Sequence, residues 1–381
     1  MKEKKWQRFA VQSIALLAVV LALSVFRQGG FVRNNGKKVM ADGTVITKEL
    51  QEAAIEETEE AVKTDSVKTD ITHVKKRSHT YIEIPKSAVT TGAGVYLYDI
   101  YMNSEVRLTI DGMAQKGFSQ NSIARYTKDS KVTGKVYKKN KKDIVESFEA
   151  VSVKNKDGTY KTDIKIKTKQ LYAPELYETD SSYYISLAVP GDIYDKIIVI
   201  DAGHGGTDEG TRSAKGHSEK DYNLIIVKEL KNLLDSGNFG IKVYYTRLSD
   251  KKVSRPARTA LANNLDADLF VSIHCNSSEY GEEEPYGVEA LYSKRKPRNS
   301  KLSNKKLAKI LLENVAEKVN NRKRGVIRRE GLYIMHHSNV PAAIIEIGYM
   351  SNKSDLKYII RKSGQKKAAE GIYNGIMEAL E

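Results

Sequence analysis

Cysteine is almost missing from this chain: Cys275 is the only one in 381 residues. That excludes an internal disulfide framework and any cysteine-cluster zinc site. Long apolar runs are equally scarce. One occurs, at residues 9–26, and the chain as a whole is 40% hydrophobic and 29% charged, so it is neither a multi-span membrane protein nor a wholly disordered tail. Tryptophan (1) and phenylalanine (7) are few against 22 tyrosines. Tyrosine suits half-wet sheet surfaces, so a β-rich part is expected. Acidic residues are outnumbered, 48 against 63 Lys and Arg, for a net charge of +15. Such a surplus favours an anionic partner: nucleic acid, a membrane surface or an acidic polymer. The length suggests two or three domains.

The apolar run reads FAVQSIALLAVVLALSVF and follows Lys2, Lys4, Lys5 and Arg8. As a helix its 18 residues would span about 27 Å, close to a ~30 Å bilayer core. Residues 1–28 are therefore a membrane anchor or a signal segment, with Ala22-Leu23-Ser24 as a candidate cleavage site. In both cases the basic start predicts an exported remainder, anchored by a single span or secreted. An extracytoplasmic location argues against nucleic acid as the partner.

Residues 29–79 are polar and weakly patterned, which reads as a stalk or linker with one short helix near 48–62. They include the repeat Val62-Lys63-Thr64-Asp65, Val67-Lys68-Thr69-Asp70. Residues 80–192 change character. Short alternating runs at 81–84, 95–101, 105–110, 160–167 and 183–189, with turn pairs Asp111-Gly112 and Asp157-Gly158 between them, predict a small all-β sandwich. This stretch gathers no set of His, Cys or carboxylates, so it is a binding or positioning module, or purely structural.

Chemistry concentrates in residues 193–381. The apolar run Lys196-Ile-Ile-Val-Ile200 reads as a strand buried on both faces, and Asp201-Ala-Gly-His204-Gly-Gly follows at once. The glycines let the backbone turn and leave His204 at the carboxyl end of the strand, the edge where open α/β sheets bind ligands. Ser218 reads as an N-cap, with Leu224, Val227, Leu230 and Leu234 at helical spacing behind it, which puts Glu219 in a first helical turn. A second apolar strand ends in His274, and a third, within Pro341-Ala-Ala-Ile-Ile-Glu346, ends in a carboxylate. Each feature alone is ordinary; a first-turn Glu is commonly just a dipole partner. Together, two imidazoles and a carboxylate with an open position match a catalytic zinc set, and a further carboxylate beside it can move a proton.

Seven pieces in order then resemble the zinc-dependent N-acetylmuramoyl-L-alanine amidases of the amidase-3 type. They are IVIDAGHGGTDEGT (198–211), SEKDYNL (218–224), RTALAN (258–263), ADLFVSIHCNSS (267–278), GVEALY (287–292), RGV (324–326) and PAAIIEIGYMSN (341–352). The resemblance implies one Zn2+ held by His204, Glu219 and His274, with Glu346 as general base. It implies peptidoglycan as substrate, cut at the amide between the lactyl group of N-acetylmuramic acid and L-alanine. The alternatives are a zinc peptidase cutting a peptide bond in the wall and a non-catalytic wall-binding scaffold. Asn276 and Arg258 could orient substrate or the ligands. Cys275 reads as a small buried neighbour of His274, and His217, His336 and His337 as surface or substrate-edge residues. The implied fold is an α/β domain of the phosphorylase/hydrolase kind, a mostly parallel sheet with helices on both faces, near 219–235, 255–264, 301–320 and 365–380.

Overall fold

The computed structural model describes residues 32–34, 37–39, 62–68, 78, 80–89, 94–127, 130–134, 143–236, 240–278 and 285–381. Residues 9–26 lie outside this set, and so does the helix expected near 48–62 apart from Val62, which begins a strand. Among the described residues no helix is long and apolar enough to cross a membrane.

Two short strands, β1 (Val32–Asn34) and β2 (Lys37–Val39), pair with each other. The next elements build two sheets. One runs in the order β10 (Val145–Lys154), β11 (Tyr160–Thr168), β7 (Glu105–Asp111), β6 (Val95–Ile100) and β3 (Val62–Asp65). The other runs β4 (Val67–Lys68), β12 (Ala173–Glu178), β13 (Ser182–Ala188), β5 (Thr80–Pro85), β8 (Ala124–Thr127) and β9 (Ser130–Val132). Alternation explains them: Ile82 and Ile84, Leu108 and Ile110, Ile164 and Ile166, Ile185 and Leu187 all point into one shared apolar cluster. Each such side chain fully buried contributes about 1.5–3 kcal/mol of transfer free energy. The end of the supposed stalk is part of these sheets. The first Val-Lys-Thr-Asp repeat is β3, antiparallel to β6, and the second starts as β4, parallel to β12. A β-branched residue alternating with a polar one suits an edge strand with one wet side.

The remaining chain forms a six-stranded sheet ordered β15 (Ile241–Tyr245), β14 (Lys196–Ala202), β16 (Leu269–Asn276), β19 (Ala342–Tyr349), β17 (Val288–Tyr292) and β18 (Lys323–Arg328). The first four strands are parallel; β17 runs antiparallel to β19 and carries β18 parallel to itself. This reversal is the departure from a uniformly parallel sheet, and it brings the beginnings of β17 and β18 to the rim where β14, β16 and β19 end.

A short turn of helix, α1 (Pro190–Ile193), leads into β14. The principal helices are α2 (Glu219–Asp235), α3 (Arg255–Asn264), α4 (Asn304–Val319), α5 (Tyr333–His337), α6 (Lys353–Ile359) and α7 (Lys362–Leu380). In α2 the buried residues are Glu219, Asn223, Ile226, Val227, Leu230 and Leu234, one face at helical spacing. Helices α2, α4 and α7 pack together, whereas α3 packs on α5. Tyr101, just after β6, joins the two parts of the chain: its hydroxyl donates to Tyr245 O at 2.8 Å and accepts from Tyr245 N at 3.1 Å.

Candidate metal centre

Four elements deliver the predicted side chains to one rim. His204 follows β14 with φ of 61°, a left-handed turn that swings its ring off the strand direction. Glu219 opens α2. Ser218 occupies the N-cap position but makes no side-chain cap bond; the Glu219 backbone N–H donates instead to Thr211 O at 2.9 Å. His274 lies near the end of β16, and Glu346 sits directly opposite it on β19.

His204, Glu219 and His274 converge, with one ligand atom from each within 4.8 Å of the others. His204 Nε2 is 3.2 Å from Glu219 Oε2, and His274 Nδ1 is 2.8 Å from Glu219 Oε1. The other nitrogen of His204, Nδ1, lies 2.8 Å from Asp208 Oδ1, a carboxylate contact that fixes the orientation of the ring. Glu219 also accepts from Thr211 N at 2.9 Å and Cys275 N at 3.2 Å. Burial pushes its carboxyl up, but the two imidazoles outweigh it and hold the group well below the usual carboxylate range. His274 moves oppositely, to about 9, because Glu219 outweighs the burial that disfavours its charge. Cys275 is buried beside them, and burial pushes its thiol well up, so it is no nucleophile.

Glycine is forced at two positions. A Cβ on Gly203 would run into the His274 ring, and one on Gly210, at φ 67°, would meet Glu219 and His204. The glycine-rich loop is thus closely fitted to the ligand set.

Beneath the rim lies a carboxylate the sequence did not single out. Asp201, fully buried, accepts from Arg258 Nη1, from Thr246 Oγ1 at 2.5 Å and from Ser272 Oγ at 2.6 Å. Arg258 also donates to Ala202 O at 2.7 Å and His204 O at 2.6 Å. It is buried and holds the backbone that carries His204. Arg247, completely buried, adds bonds to Ala202 O at 2.9 Å, Gly203 O at 2.7 Å and Lys220 O at 2.8 Å, tying the strand end to the helix start. Asn276, half-buried, donates to Glu289 Oε2 at 3.1 Å. His217 pairs with Tyr222, Nδ1 to Oη 2.7 Å. His336 and His337 are exposed at the end of α5, next to Asn263 at the far end of α3.

Burial pushes the Asp201 carboxyl up, but Arg258 and the two hydroxyls pull it lower still, below its ordinary 3.8. A depressed folded value means its stabilising contribution is full above the ordinary value and is lost as pH falls through the folded one. Asp201→Asn should therefore cost about 3–5 kcal/mol at pH 7, the range for breaking a buried charge pair. In urea unfolding followed against pH, the gap to the parent protein should narrow below about pH 4. A gap that stays constant into acid would separate Asp201 from this role.

Glu346 is half-buried, and its Oε2, shielded from solvent, has no hydrogen-bond partner among the described residues. Burial, with help from the Glu219 and Glu289 charges and against His274, pushes its carboxyl up to about 7. A buried polar atom left without a protein partner usually meets a ligand, a water or an ion.

Two imidazoles and a carboxylate close enough to share a metal ion, with a second carboxylate beside them at the rim of an α/β sheet, are the features of a hydrolase. The chain belongs to the N-acetylmuramoyl-L-alanine amidases, peptidoglycan hydrolases whose family pattern matches residues 198–378. It is 34% identical over 182 residues to YqiI, an uncharacterised protein of Bacillus subtilis, across 48% of this chain and 83% of that one. It is 31% identical over 196 residues to the germination-specific N-acetylmuramoyl-L-alanine amidase of the same organism, across 48% of this chain and 78% of that one. The crystal structure of N-acetylmuramoyl-L-alanine amidase from Clostridium difficile 630 is 35% identical and covers 49% of this chain and 96% of its own, with a TM-score of 0.44.

Proposed function

We propose that this amidase is a zinc enzyme of the cell envelope, with the ion held by His204, Glu219 and His274. The donor set supports zinc: two imidazole nitrogens and one carboxylate oxygen match the protein ligands of a catalytic zinc site. Bound there, zinc would lower the pKa of water to about 7 and polarise the scissile carbonyl.

The chain's own residues do the rest. Glu346 takes a proton from the attacking water as general base. It then delivers that proton to the nitrogen of L-alanine as the amide carbon–nitrogen bond breaks, leaving a lactyl carboxylate and a free amine. The unpartnered Oε2 of Glu346, directly across the sheet from His274, is the observation that carries this reading. Asp208 orients His204, and Asp201, Arg247 and Arg258 hold the backbone beneath it.

Residues 9–26 act as a single membrane anchor or an export signal, and the two sheets built from strands between Val62 and Ala188 form a β-sandwich that positions the catalytic half on the anionic wall. Digestion of purified sacculi tests the reaction. The protein should release stem peptides with free N-terminal L-alanine, and a chelator should stop it. New amino termini at other stem positions would point to a peptidase instead, and sacculus binding without any new termini to a scaffold.

A further inference from the structure

The rim holds a further carboxylate beside Glu219 and Glu346. Glu289, 4% exposed, lies on β17 directly opposite Glu346. Its Oε1 accepts from Arg324 Nε at 2.6 Å and Tyr349 Oη at 2.8 Å, and its Oε2 accepts from Asn276 Nδ2 at 3.1 Å. All three of these partners are donors, so the Glu289 carboxylate is held in place as an acceptor.

What it fixes is Arg324. The guanidinium lies over the Tyr349 ring, 5.2 Å from the centroid, while the side chain stays 29% exposed. The backbone is built for this. Along β17 and β18 the register passes from Val288 opposite Lys323 to Glu289 opposite Gly325, so Arg324 is the extra residue of a bulge, and Gly325 has φ 145°. Bulges are rare in parallel pairs and recur beside active sites, where they re-aim a side chain. Neighbouring Arg322 instead stacks on exposed Tyr286, at 5.5 Å.

A guanidinium held on one edge by a buried carboxylate and against an aromatic face presents its other edge ready-oriented to an anion. Glu346, Glu289 and Arg324 occupy successive strands, so two spacings of about 4.8 Å put Arg324 roughly 10 Å from the proposed base. In the substrate, the glycan side of the scissile amide carries no charge near it, because the lactyl carboxyl is consumed in the bond. The nearest anion is on the peptide side: the free α-carboxylate of the second stem residue, a D-isoglutamyl unit. One residue spans at most about 3.6 Å of chain, which, with the length of the side chains, fits that reach.

We propose that Arg324, positioned by Glu289, Tyr349 and Asn276, binds the α-carboxylate of the second stem residue and makes the enzyme selective for stems in which that group is not amidated. The proposal rests on the amidase reading and deepens it. The full-length, zinc-loaded protein is tested on two N-acetylmuramoyl tetrapeptides that differ only in D-isoglutamate or D-isoglutamine at the second position. Cleavage kinetics are measured with the parent protein, and binding calorimetry with the Glu346→Gln protein. The carboxylate form should be preferred roughly tenfold, in KM and in affinity rather than in kcat. Arg324→Gln should bring that ratio to about one, and Arg324→Lys should restore part of it. Equal use of both forms by the parent protein, or an Arg324→Gln defect equal on both, overturns the proposal. A carboxylate preference in binding without cleavage of the lactyl amide leaves the arginine assignment standing and removes the reaction assignment.

Discussion

Replacing Glu346 with glutamine should lower the release of muropeptides from sacculi by roughly 10²–10⁴-fold, the usual contribution of a positioned general acid–base, while the protein still binds one zinc per chain. The amide keeps the size of the side chain and removes its ability to accept and return a proton. No ligand is lost, because His204, Glu219 and His274 make their contacts without Glu346. The change should also leave folding intact or improve it. A carboxyl pushed up to about 7 by burial is an uncomfortable charge at neutral pH, and removing it relieves that cost. Urea unfolding of the variant measures this directly. Unimpaired turnover by Glu346→Gln at normal zinc content would assign the base elsewhere.

Glu219→Gln should have the opposite signature, losing the metal first and activity as a consequence. The backbone N–H groups of Thr211 and Cys275 donate to different carboxylate oxygens, so the single carboxamide oxygen keeps one of these bonds and the other is lost. The negative charge between the two imidazoles disappears, and zinc affinity should fall by at least about a hundredfold. Asp208→Ala removes only the outer partner of His204 and should cost about 10–100-fold, as such contacts typically do. Titrating both variants with zinc against a competing chelator orders the two effects. If Glu219→Gln retains one ion at parental affinity, Glu219 is not a ligand.

Much of this centre could be read from the chain alone, for local reasons. His204, His274 and Glu346 each follow a run of buried apolar residues, where a polar residue stands out, although β16 and β19 continue past His274 and Glu346, and Glu219 directly follows a serine at the N-cap position that makes no side-chain cap bond. Helices α2 and α3 begin and end where their spacing predicts, 219–235 and 255–264. Helix α5 was not expected; it is one and a half turns, too short to display a period. Asp201, Arg247, Glu289 and Arg324 escaped notice for another reason. Their partners come from strands or loops tens of residues away, and no spacing within one segment reveals a guanidinium meeting the carbonyls of another. The bulge at Arg324 is similarly invisible, since a glycine after a charged residue reads as an ordinary turn. Edge strands β3 and β4 were hidden by their polarity, which is also what allows them to border water.

The antiparallel setting of β17 has one more consequence. The end of β16 at Asn276 and the start of β17 at Val288 both lie at the catalytic rim. Because these two strand ends already share one edge, changes of length between Asn276 and Val288 would leave the pairing of β14, β16 and β19 undisturbed.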